Sequence, residues 1–553
     1  MGLGVLAHRP GLLDEGPRRL HCSRVRLSFV LTSALSLAVV PPATVMAQQC
    51  PDGTPPPCGA RPVPPSPHSI AVLPFGNRSP DTADVYLAEG MTEEVGSHLT
   101  QLGRLQVKAR GVVAAAWQRN PDPLGAARRL NVAWYVHGTV RHVAPQLLVS
   151  VELVRPATGE QVWAKRFARP DGDLFAVQAE VAESVAVMVS GRLSPGERAV
   201  LVRRPTRNNE AYRLYLNGRT LVARRTPPEI QAGIEAYTRA LRLDDRFAAA
   251  WARVSIARSL QVDWGSAEGF SVDSILALAQ AAAARALALD SGLSESWLAQ
   301  GNWALNREEY GLAHDALTRS LRLDSLDADA FHIFGALYLS LTIPDEGVPF
   351  YRRALELNPD LRSTWNGLAQ MRRVQGRLAE AEVLEDTALS RGPWAFGFYA
   401  RGWMRFYRGN GVGALADLAE ALARRADLGP PFQSGLEVQR SLFPIAAGDS
   451  APARAALARW LAQADSGRPN YGQLASFNMA LGFREEAVTA LQRLRSQPEP
   501  RPARCSPTSA CSASLRTWRA LHDPIFAPLR GDPRFQRLWE ETRPRVPWLP
   551  GYQ

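Results

Sequence analysis

Three consecutive blocks of 34 residues establish the architecture of this chain: SESWLAQGNWALNREEYGLAHDALTRSLRLDSLD (294–327), ADAFHIFGALYLSLTIPDEGVPFYRRALELNPDL (328–361) and RSTWNGLAQMRRVQGRLAEAEVLEDTALSRGPWA (362–395). Each block has an aromatic residue at its fourth position: Trp297, Phe331 and Trp365. Tyr399 follows 34 residues after Trp365, beyond the third block. Because aromatic residues make up 8% of the chain, three such coincidences have a chance of roughly one in two thousand. A period of this length indicates a solenoid of paired helices.

Small residues occupy the positions of each block at which two helices must approach closely. Gly301 and Gly335 stand at position eight. The same register places Ala369 at position eight, Ala313, Gly347 and Ala381 at position twenty, Ser320, Ala354 and Ala388 at position twenty-seven, and Pro359 and Pro393 at position thirty-two, where a helix must end. This pattern resembles the tetratricopeptide repeat (TPR). The resemblance implies an all-α, right-handed superhelix with a concave groove.

The repeat extends in both directions from these blocks. Trp251 opens an earlier unit, which has extra residues from Asp263 to Ser274 that form a candidate contact loop. Gly218 belongs to a first unit, and the pattern loosens after Tyr399 before it partly recovers between Tyr471 and Leu491. We therefore predict five regular hairpins and two or three degenerate ones.

The residues before the array alternate between strand and helix signals. The three final strands follow one another across short turns, which favours antiparallel pairing, whereas helices separate the earlier ones. We therefore predict an α+β domain with a small mixed sheet. Strands are expected at Ile70–Phe75, Leu105–Ala109, Tyr135–Val143, Leu147–Val154 and Gln161–Phe167, and helices at Asp84–Leu102, Leu124–Leu130 and Asp173–Leu193.

Five motifs of this domain resemble the TolB amino-terminal-like domain: SIAVLPFGNRSPDTADVYLAEGMTEEV (69–95), LQVKAR (105–110), LGAARRLNVAWYVHGTVR (124–141), LLVSVELVRPATGEQVWAKRF (147–167) and DLFAVQAEVAESVA (173–186). In bacteria that domain often precedes TPR arrays and is frequently attached to adenylate cyclases, winged-helix regulators or Ser/Thr kinases. The resemblance implies a role in interaction or regulation. No cyclase, kinase or DNA-binding segment accompanies the motifs here, so we expect any signalling output to come from a partner.

The N-terminus has the pattern of an export signal. Four arginines between positions 18 and 26 precede an apolar stretch from Leu27 to Val40, and the small-residue site Val45-Met46-Ala47 follows. The apolar stretch is shorter than the roughly 20 residues of a spanning helix. We therefore expect cleavage after Ala47 and export to the periplasm or cell envelope, with no stable membrane span afterwards.

The chain divides into five parts on these signals. Proline-rich sequence after the signal (TPPPC, RPVPPSP) favours an extended linker, and the C-terminal residues carry a helical pattern at Asp523 to Trp539. The expected boundaries are 1–47 for the signal peptide, 48–68 for the linker, 69–200 for the α+β domain, 209–495 for the TPR array, and 496–553 for a C-terminal loop and capping helix.

Four cysteines remain after cleavage and form two close pairs, Cys50 with Cys58 and Cys505 with Cys511. Export makes two local disulfides plausible, and free thiols are the alternative. A zinc site fits poorly, since the spacings lack nearby paired histidines. We therefore expect no metal and no cofactor.

The net charge of +11 raises the question of nucleic-acid or anionic-membrane binding. Nearly all of this charge is arginine, with lysine only at Lys108 and Lys165. The arginines are scattered and form no basic stripe with interleaved aromatic residues, so we expect no nucleic-acid partner.

Polar residues on the first helix of each repeat are candidates for ligand contact. Positions five, nine and twelve should project into the groove, where they could bond a peptide's backbone or carboxylate, although a solvated helix face is an equal alternative. The candidates are Asn302, Leu305, His332, Asn366, Gln370 and Arg373. The expected packing residues are Trp251, Trp297, Gly301, Phe331, Gly335, Trp365 and Tyr399.

We find no motif that indicates an enzyme. Metalloprotease, nucleophile-elbow and phosphate-loop spacings are absent from the sequence, and the glycines of Gly409–Gly413 read as a turn between two helices. Glu93 and Glu94 could form an acid and base pair, but adjacent helix positions diverge and at least one should face water. Asp81 and Asp84 beside Asn77 could bind a cation, although capping of the next helix is the preferred interpretation.

Two hypotheses about function follow. The first is a non-enzymatic adaptor of the cell envelope, which binds one partner through the TolB-like domain and a peptide or helix through the TPR groove. The second is a sensor component that controls a separately encoded cyclase or kinase. An enzyme of unrecognised type is a third and weaker hypothesis, which would require a strongly perturbed titratable group in a polar pocket.

Overall fold

The computed structural model describes residues 64–81, 84–170, 174–201, 204–264, 271–465, 467, 469–497, 515–550 and 552. The predicted signal peptide, most of the linker and all four cysteines of the proposed disulfides lie outside these residues. Part of the candidate contact loop, 265–270, lies outside them as well.

A single mixed sheet forms the N-terminal domain, as the sequence predicted. The strands are β1 (Ser69–Val72), β2 (Gly76–Asn77), β3 (Gln106–Val107), β4 (Trp134–Val143), β5 (Gln146–Arg155) and β6 (Glu160–Pro170). Their order in the sheet is β3-β1-β4-β5-β6, with β2 pairing β4. The pairings among β1, β2, β3 and β4 are parallel, whereas β4, β5 and β6 pair antiparallel.

Helices cover both faces of this sheet because successive side chains of β1 point in opposite directions. The helices are α1 (Val85–Gln101), α2 (Arg110–Arg119), α3 (Pro123–Arg129), α4 (Leu174–Ser190) and α5 (Pro195–Leu201). Ile70 and Val72 join a core with the long helices α1 and α4, whereas Ala71 and Leu73 join a smaller core with α2 and α3. Helices α2 and α5 and the short strand β2 were missing from the prediction.

The rest of the chain forms antiparallel helical hairpins that stack in sequence, which confirms the predicted TPR array. Within the described residues there are eight hairpins, and the sixth is as continuous as the five that were predicted to be regular. They are α6 (Asn209–Ala223) with α7 (Pro227–Leu243), α8 (Ala248–Trp264) with α9 (Val272–Leu289), α10 (Ser294–Asn306) with α11 (Tyr310–Leu323), α12 (Ala328–Leu341) with α13 (Pro344–Leu357), α14 (Arg362–Val374) with α15 (Leu378–Ser390), α16 (Ala395–Tyr407) with α17 (Gly411–Ala423), α18 (Pro430–Leu442) with α19 (Ala451–Asp465), and α20 (Tyr471–Ala480) with α21 (Arg484–Ser496).

The position-eight glycines permit the close approach of the two helices in a hairpin. A Cβ on Gly301 would lie 2.7 Å from Leu317 Cγ, and a Cβ on Gly335 would lie 2.7 Å from the ring of Tyr351. Ala369 is fully buried at the equivalent place in the next hairpin. A larger residue at position eight would therefore force the hairpin open.

The three position-four tryptophans each make an equivalent hydrogen bond. The indole N–H of Trp251 donates to the Asp245 carbonyl, 2.8 Å away. That of Trp297 donates to Ser291 at 2.8 Å and that of Trp365 to Pro359 at 2.7 Å. Each acceptor lies six residues upstream, in the turn that ends the preceding hairpin. These tryptophans are half-buried packing residues that also fix the joint between successive repeats.

The C-terminal residues form two short helices, α22 (Leu515–Leu521) and α23 (Pro533–Thr542), with a 3-10 helix (Pro524–Leu529) between them. The prediction of one continuous capping helix over Asp523–Trp539 is therefore wrong in detail, because Pro524 and Pro533 each begin a new turn. Phe526, Leu529 and Phe535 do pack on the last hairpins, as a cap would.

One helix among the described residues, α9, is long and apolar enough to cross a membrane, with a mean hydropathy of 1.4. The length and apolar composition of α9 therefore contradict the expectation that no segment after the signal could span a membrane. In the array α9 packs as the second helix of its hairpin, and its Leu276 and Ala279 share a core with α10 and α12.

Candidate binding groove

The N-terminal domain is joined to the array through α6. Tyr212 of α6 donates a hydrogen bond to Gln178 of α4, 3.0 Å away, and both side chains are buried. Gly90 of α1 faces Leu216 so closely that a Cβ there would lie 2.6 Å from a leucine methyl. The core of the sheet continues into the first two hairpins. The two parts therefore share one core at this junction.

Both glutamates of the Glu93–Glu94 pair face the array, which corrects the expectation that at least one would face water. Glu93 pairs with Arg219 of α6 and with Arg110 of α2, and Glu94 Oε1 lies 3.4 Å from Arg219. Glu89, one turn earlier, accepts a hydrogen bond from Thr220 at 2.5 Å. These contacts join two domains, so the pair has a structural explanation that needs no catalysis.

The residues from 515 to 550, which we call the C-terminal strap, run along the ends of several hairpins. Trp518 is 3% exposed, and its indole N–H donates to the Leu341 carbonyl at 2.8 Å. The side chain of Trp518 shares a core with the third and fourth hairpins. Since Leu341 ends α12, this bond satisfies a carbonyl that the helix itself leaves without a partner.

Arg519, the next residue, contacts the same two hairpins. Its guanidinium donates to the Ser340 carbonyl at 2.8 Å, to the Tyr310 hydroxyl at 2.6 Å and to Glu308 at 3.1 Å. One planar fork thus contacts a backbone carbonyl, a phenol and a carboxylate, a combination that lysine could not reproduce.

Further contacts extend the strap over the remaining hairpins. Asp523 accepts a hydrogen bond from Tyr407 at 2.9 Å, and one of its oxygens lies 3.9 Å from Arg373. Arg534 forms a two-pronged ion pair with Glu485, at 2.7 and 2.9 Å. The strap therefore contacts the third, fourth, fifth, sixth and eighth hairpins.

A cavity of about 490 Å³ lies between the first helices of the third, fourth and fifth hairpins, and Arg519 of the strap forms part of its wall. Five of the six predicted groove residues line it, although the sequence placed them up to two repeats apart: Asn302, Leu305, His332, Gln370 and Arg373.

The polar side chains of this cavity differ in how fully they are bonded. Arg373 donates its Nε–H to Gln370 Oε1 at 2.7 Å, and His332 Nδ1 lies 3.0 Å from Thr364 Oγ1. Burial, with the nearby charge of Arg225, lowers the pKa of His332 to about 4, so its ring is neutral near pH 7. Asn302 is 2% exposed, and its side-chain amide has no hydrogen-bond partner in the described part of the chain.

Asn366 is the predicted groove residue that does not line the cavity. It is 8% exposed, and its amide donates to Glu385 Oε1 of the paired helix at 2.6 Å. Burial raises the pKa of Glu385 to about 8, and the bond from Asn366 and the charge of Arg401 offset part of this effect. Asn366 therefore bonds within its own hairpin, whereas His332, at the same position of the preceding repeat, lines the cavity.

The candidate cation loop has another explanation. Asp84 does not cap α1 through its side chain, contrary to the preferred interpretation, and instead its Oδ2 lies 2.7 Å from Nδ1 of His142. Asn77 accepts a hydrogen bond from the Ser79 backbone at 2.9 Å. The residues that the structure describes contain no cluster of three or more metal-ligating side chains.

Gly409 lies in the turn between α16 and α17, as predicted, whereas Gly411 and Gly413 lie in the first turn of α17. Gly409 has a φ of 75°, a left-handed conformation that favours glycine. Asn410 then caps α17 by accepting from the Gly413 backbone at 2.9 Å. The segment is a helix start and follows no strand, so it lacks the context of a phosphate-binding loop.

Sequence reasoning missed the cavity residues that lie at helix ends or far along the chain. Glu308, Tyr310 and Thr342 stand in or beside the turns within hairpins, and Arg519 belongs to the strap. A glutamate and a tyrosine beside a turn carry no sign of groove contact. The Trp518–Arg519 pair was the available signal, since an exposed capping helix would not require a tryptophan.

Comparisons with known proteins show which proteins this chain resembles. No family model matches the chain. A protein of Rhizobium meliloti (strain 1021) named "Putative adenylate cyclase 3" is 32% identical over 232 residues, which is 41% of this chain and 40% of that protein. The chain therefore spans less than half of the length of this relative.

Solved structures that resemble the chain include TPR proteins and TolB. YrrB, a TPR protein with an unusual peptide-binding site, is 25% identical with a TM-score of 0.24, over 35% of this chain and 94% of that one. TolB from Acinetobacter baumannii is 17% identical with a TM-score of 0.19, over 24% of this chain and 30% of that one. These scores are too low to support an argument, so the fold assignment rests on the hairpins and their period.

Proposed function

We propose that this chain is a non-enzymatic adaptor of the bacterial cell envelope, which binds protein partners through its TPR groove and its TolB-like domain. A TPR array generally implies protein partners. The observation that supports the proposal most strongly is internal: the array already binds a helix, α22 of its own chain, along the ends of its third and fourth hairpins.

The chemistry of that contact defines the kind of partner. The indole of Trp518 fills an apolar site and bonds the end of α12, while Arg519 reaches Glu308 and Tyr310. Buried aromatic and arginine side chains are the usual anchors of protein interfaces. We infer that the partner presents a helix with an aromatic and a basic residue side by side, and that this helix takes the place of α22.

A crosslinking pull-down from envelope fractions tests the proposal with three variants of the full chain. Substituting Trp518 and Arg519 by alanine opens the strap and should increase capture of the partner. Substituting His332, Gln370 and Arg373 by alanine removes cavity-facing groups and should abolish capture. The control, Arg537→Ala, changes an exposed arginine on α23 and should match the wild type.

Two outcomes contradict the proposal. Equal capture of one partner by all variants would place the interface elsewhere, on the TolB-like domain or on the Asp263–Ser274 insertion. Turnover of a nucleotide, peptide or glycan by the purified protein, lost on a point substitution, would establish an enzyme instead.

The export proposal has a separate test. Fractionation of cells followed by N-terminal sequencing should find the protein in the envelope fraction with Gln48 as its first residue. A cytosolic protein that retains residues before Ala47 would contradict export.

A sensor that controls a separately encoded adenylate cyclase is the second candidate function. The similarity to a protein named as an adenylate cyclase favours it, since the match covers only 40% of that protein and the remainder could be supplied by a partner. Cyclic AMP measured in cells with and without the chain distinguishes the two candidates. A change in cyclic AMP supports the sensor, and an unchanged level supports the adaptor.

A further inference from the structure

We propose that the cavity beneath the strap is a binding site for a small polar molecule with an oxyanion group, a carboxylate or a phosphate. This inference goes beyond the adaptor function and does not depend on the identity of a protein partner. It rests on the size of the cavity, on the charge of its lining and on buried polar groups that face it without partners.

The size of the cavity suits a small molecule while the strap is bound. Two turns of helix, about 11 Å long and about 10 Å wide, occupy roughly 800 Å³, whereas the cavity measures about 490 Å³ and is partly open to solvent. That volume lies within the range of about 300–1,000 Å³ that is typical of small-molecule sites. With the strap docked, the cavity can therefore hold a small molecule but not a whole helix.

Two polar side chains face the cavity and are free to bond a ligand. Asn302 is 2% exposed and Thr342 is 5% exposed, and both line the cavity. Among the described residues no hydrogen bond joins the Asn302 amide or the Thr342 hydroxyl to another group, and neither is among the buried polar atoms that are cut off from solvent. Thr342 also has a φ of 57°, a left-handed conformation that is unusual for a β-branched residue.

The charge of the lining favours an anion. Arg373 and Arg519 face one carboxylate, that of Glu308, which Arg519 already binds at 3.1 Å. Arg373 uses its Nε–H for Gln370, and its nearest carboxylate, Asp523, lies at 3.9 Å, beyond hydrogen-bond distance. The terminal guanidinium N–H groups of Arg373 and the amide of Asn302 therefore form a set of donors that an oxyanion would accept from.

Ligand binding would also stabilise the strap, because Arg519 is part of the cavity wall. A molecule that binds the cavity only when the strap is docked shifts the equilibrium toward the docked strap. The amide protons of α22 should then exchange more slowly with solvent when the ligand is present.

Titration calorimetry and thermal unfolding of the full chain test the site with succinate, L-glutamate and inorganic phosphate, and with glucose as an uncharged control. We expect one class of anion to bind and to raise Tm, which distinguishes carboxylate from phosphate, while glucose does not. Arg373→Gln should weaken binding at least about tenfold, because a charge-assisted hydrogen bond is lost.

A second variant separates binding from folding. Asn302→Leu replaces the cavity-facing amide with an apolar side chain of similar size, so it should leave the free protein folded and abolish the anion response. Three outcomes would overturn the inference: no anion binds at millimolar concentration, so that the cavity holds only water; the response survives in both variants; or glucose binds and the anions do not.

Discussion

Replacing Glu385 by glutamine should change how the stability of the array depends on pH. Glu385 is fully buried in α15 and accepts one hydrogen bond, from Asn366 at 2.6 Å. Its other oxygen has no partner within the described residues. Burial raises its pKa from the ordinary value of 4.5 to about 8, so the folded protein holds this proton near neutral pH while the unfolded chain releases it.

The sign follows from the two pKa values. The stability that Glu385 contributes is complete below pH 4.5 and is lost progressively as the pH rises to about 8. Since each pH unit in this window removes about 1.4 kcal/mol, the loss is at most about 5 kcal/mol. Glutamine keeps the acceptor for Asn366, cannot ionise, and can place an N–H where the unpartnered oxygen lies.

Chemical unfolding followed by circular dichroism, at acidic and at mildly alkaline pH, measures this difference. Wild type and Glu385→Gln should be similar at acidic pH, and the variant should be more stable at alkaline pH. Glu437→Gln, an exposed change on α18, is the control and should follow the wild type. Identical pH profiles of Glu385→Gln and wild type would refute the reasoning that this carboxyl is protonated in the folded array.

Four other substitutions test the packing of helix α1, of the array and of the strap. Gly335→Ala should destabilise the protein by about 1–3 kcal/mol, since its Cβ would lie 2.7 Å from the ring of Tyr351. Gly96→Ala, whose Cβ would have no atom within 4 Å, should stabilise the protein by about 0.5–1 kcal/mol. Thermal unfolding of both variants separates the effect of close packing from that of helix propensity. Trp365→Phe should cost about 1 kcal/mol through the lost bond to Pro359, measured by chemical unfolding, and no change in stability would show that the bond is dispensable. Trp518→Ala should make the strap accessible to proteases while the far-ultraviolet circular dichroism of the array persists, since α22 loses its buried indole and the bond from that indole to the Leu341 carbonyl; an unchanged digestion pattern would argue against a separable strap.

The array was predictable because its signals are local and periodic. A 34-residue interval with small residues at position eight fixes where two helices can touch, and the structure places Gly301 and Gly335 at those contacts. The same regularity brought five predicted groove residues to one cavity. Periodicity cannot show which way one amide turns, and the amide of Asn366 meets Glu385 on the paired helix.

The strap could not be predicted for a different reason. Trp518 and Leu341 are 177 residues apart, and their contact depends on how the whole superhelix curves. The prediction that Glu93 or Glu94 faces water failed for a similar reason. The sequence of α1 alone gives no sign that α6 lies over these glutamates and pairs Arg219 with Glu93. In both cases the missing information is long-range packing, which a single sequence does not encode in a local pattern.

Binding of the α22 sequence added as a separate peptide tests the central claim most directly. A fluorescent peptide LRTWRALHDPIFAPLR (515–530), titrated into the full chain and followed by anisotropy, should bind the Trp518→Ala/Arg519→Ala variant, whose own strap is released. The wild type should bind at least about tenfold more weakly, because its docked strap competes at high effective concentration. Equal binding to both proteins, or no binding to the opened variant, would contradict the claim that the array is a helix-binding surface held closed by its own C-terminus.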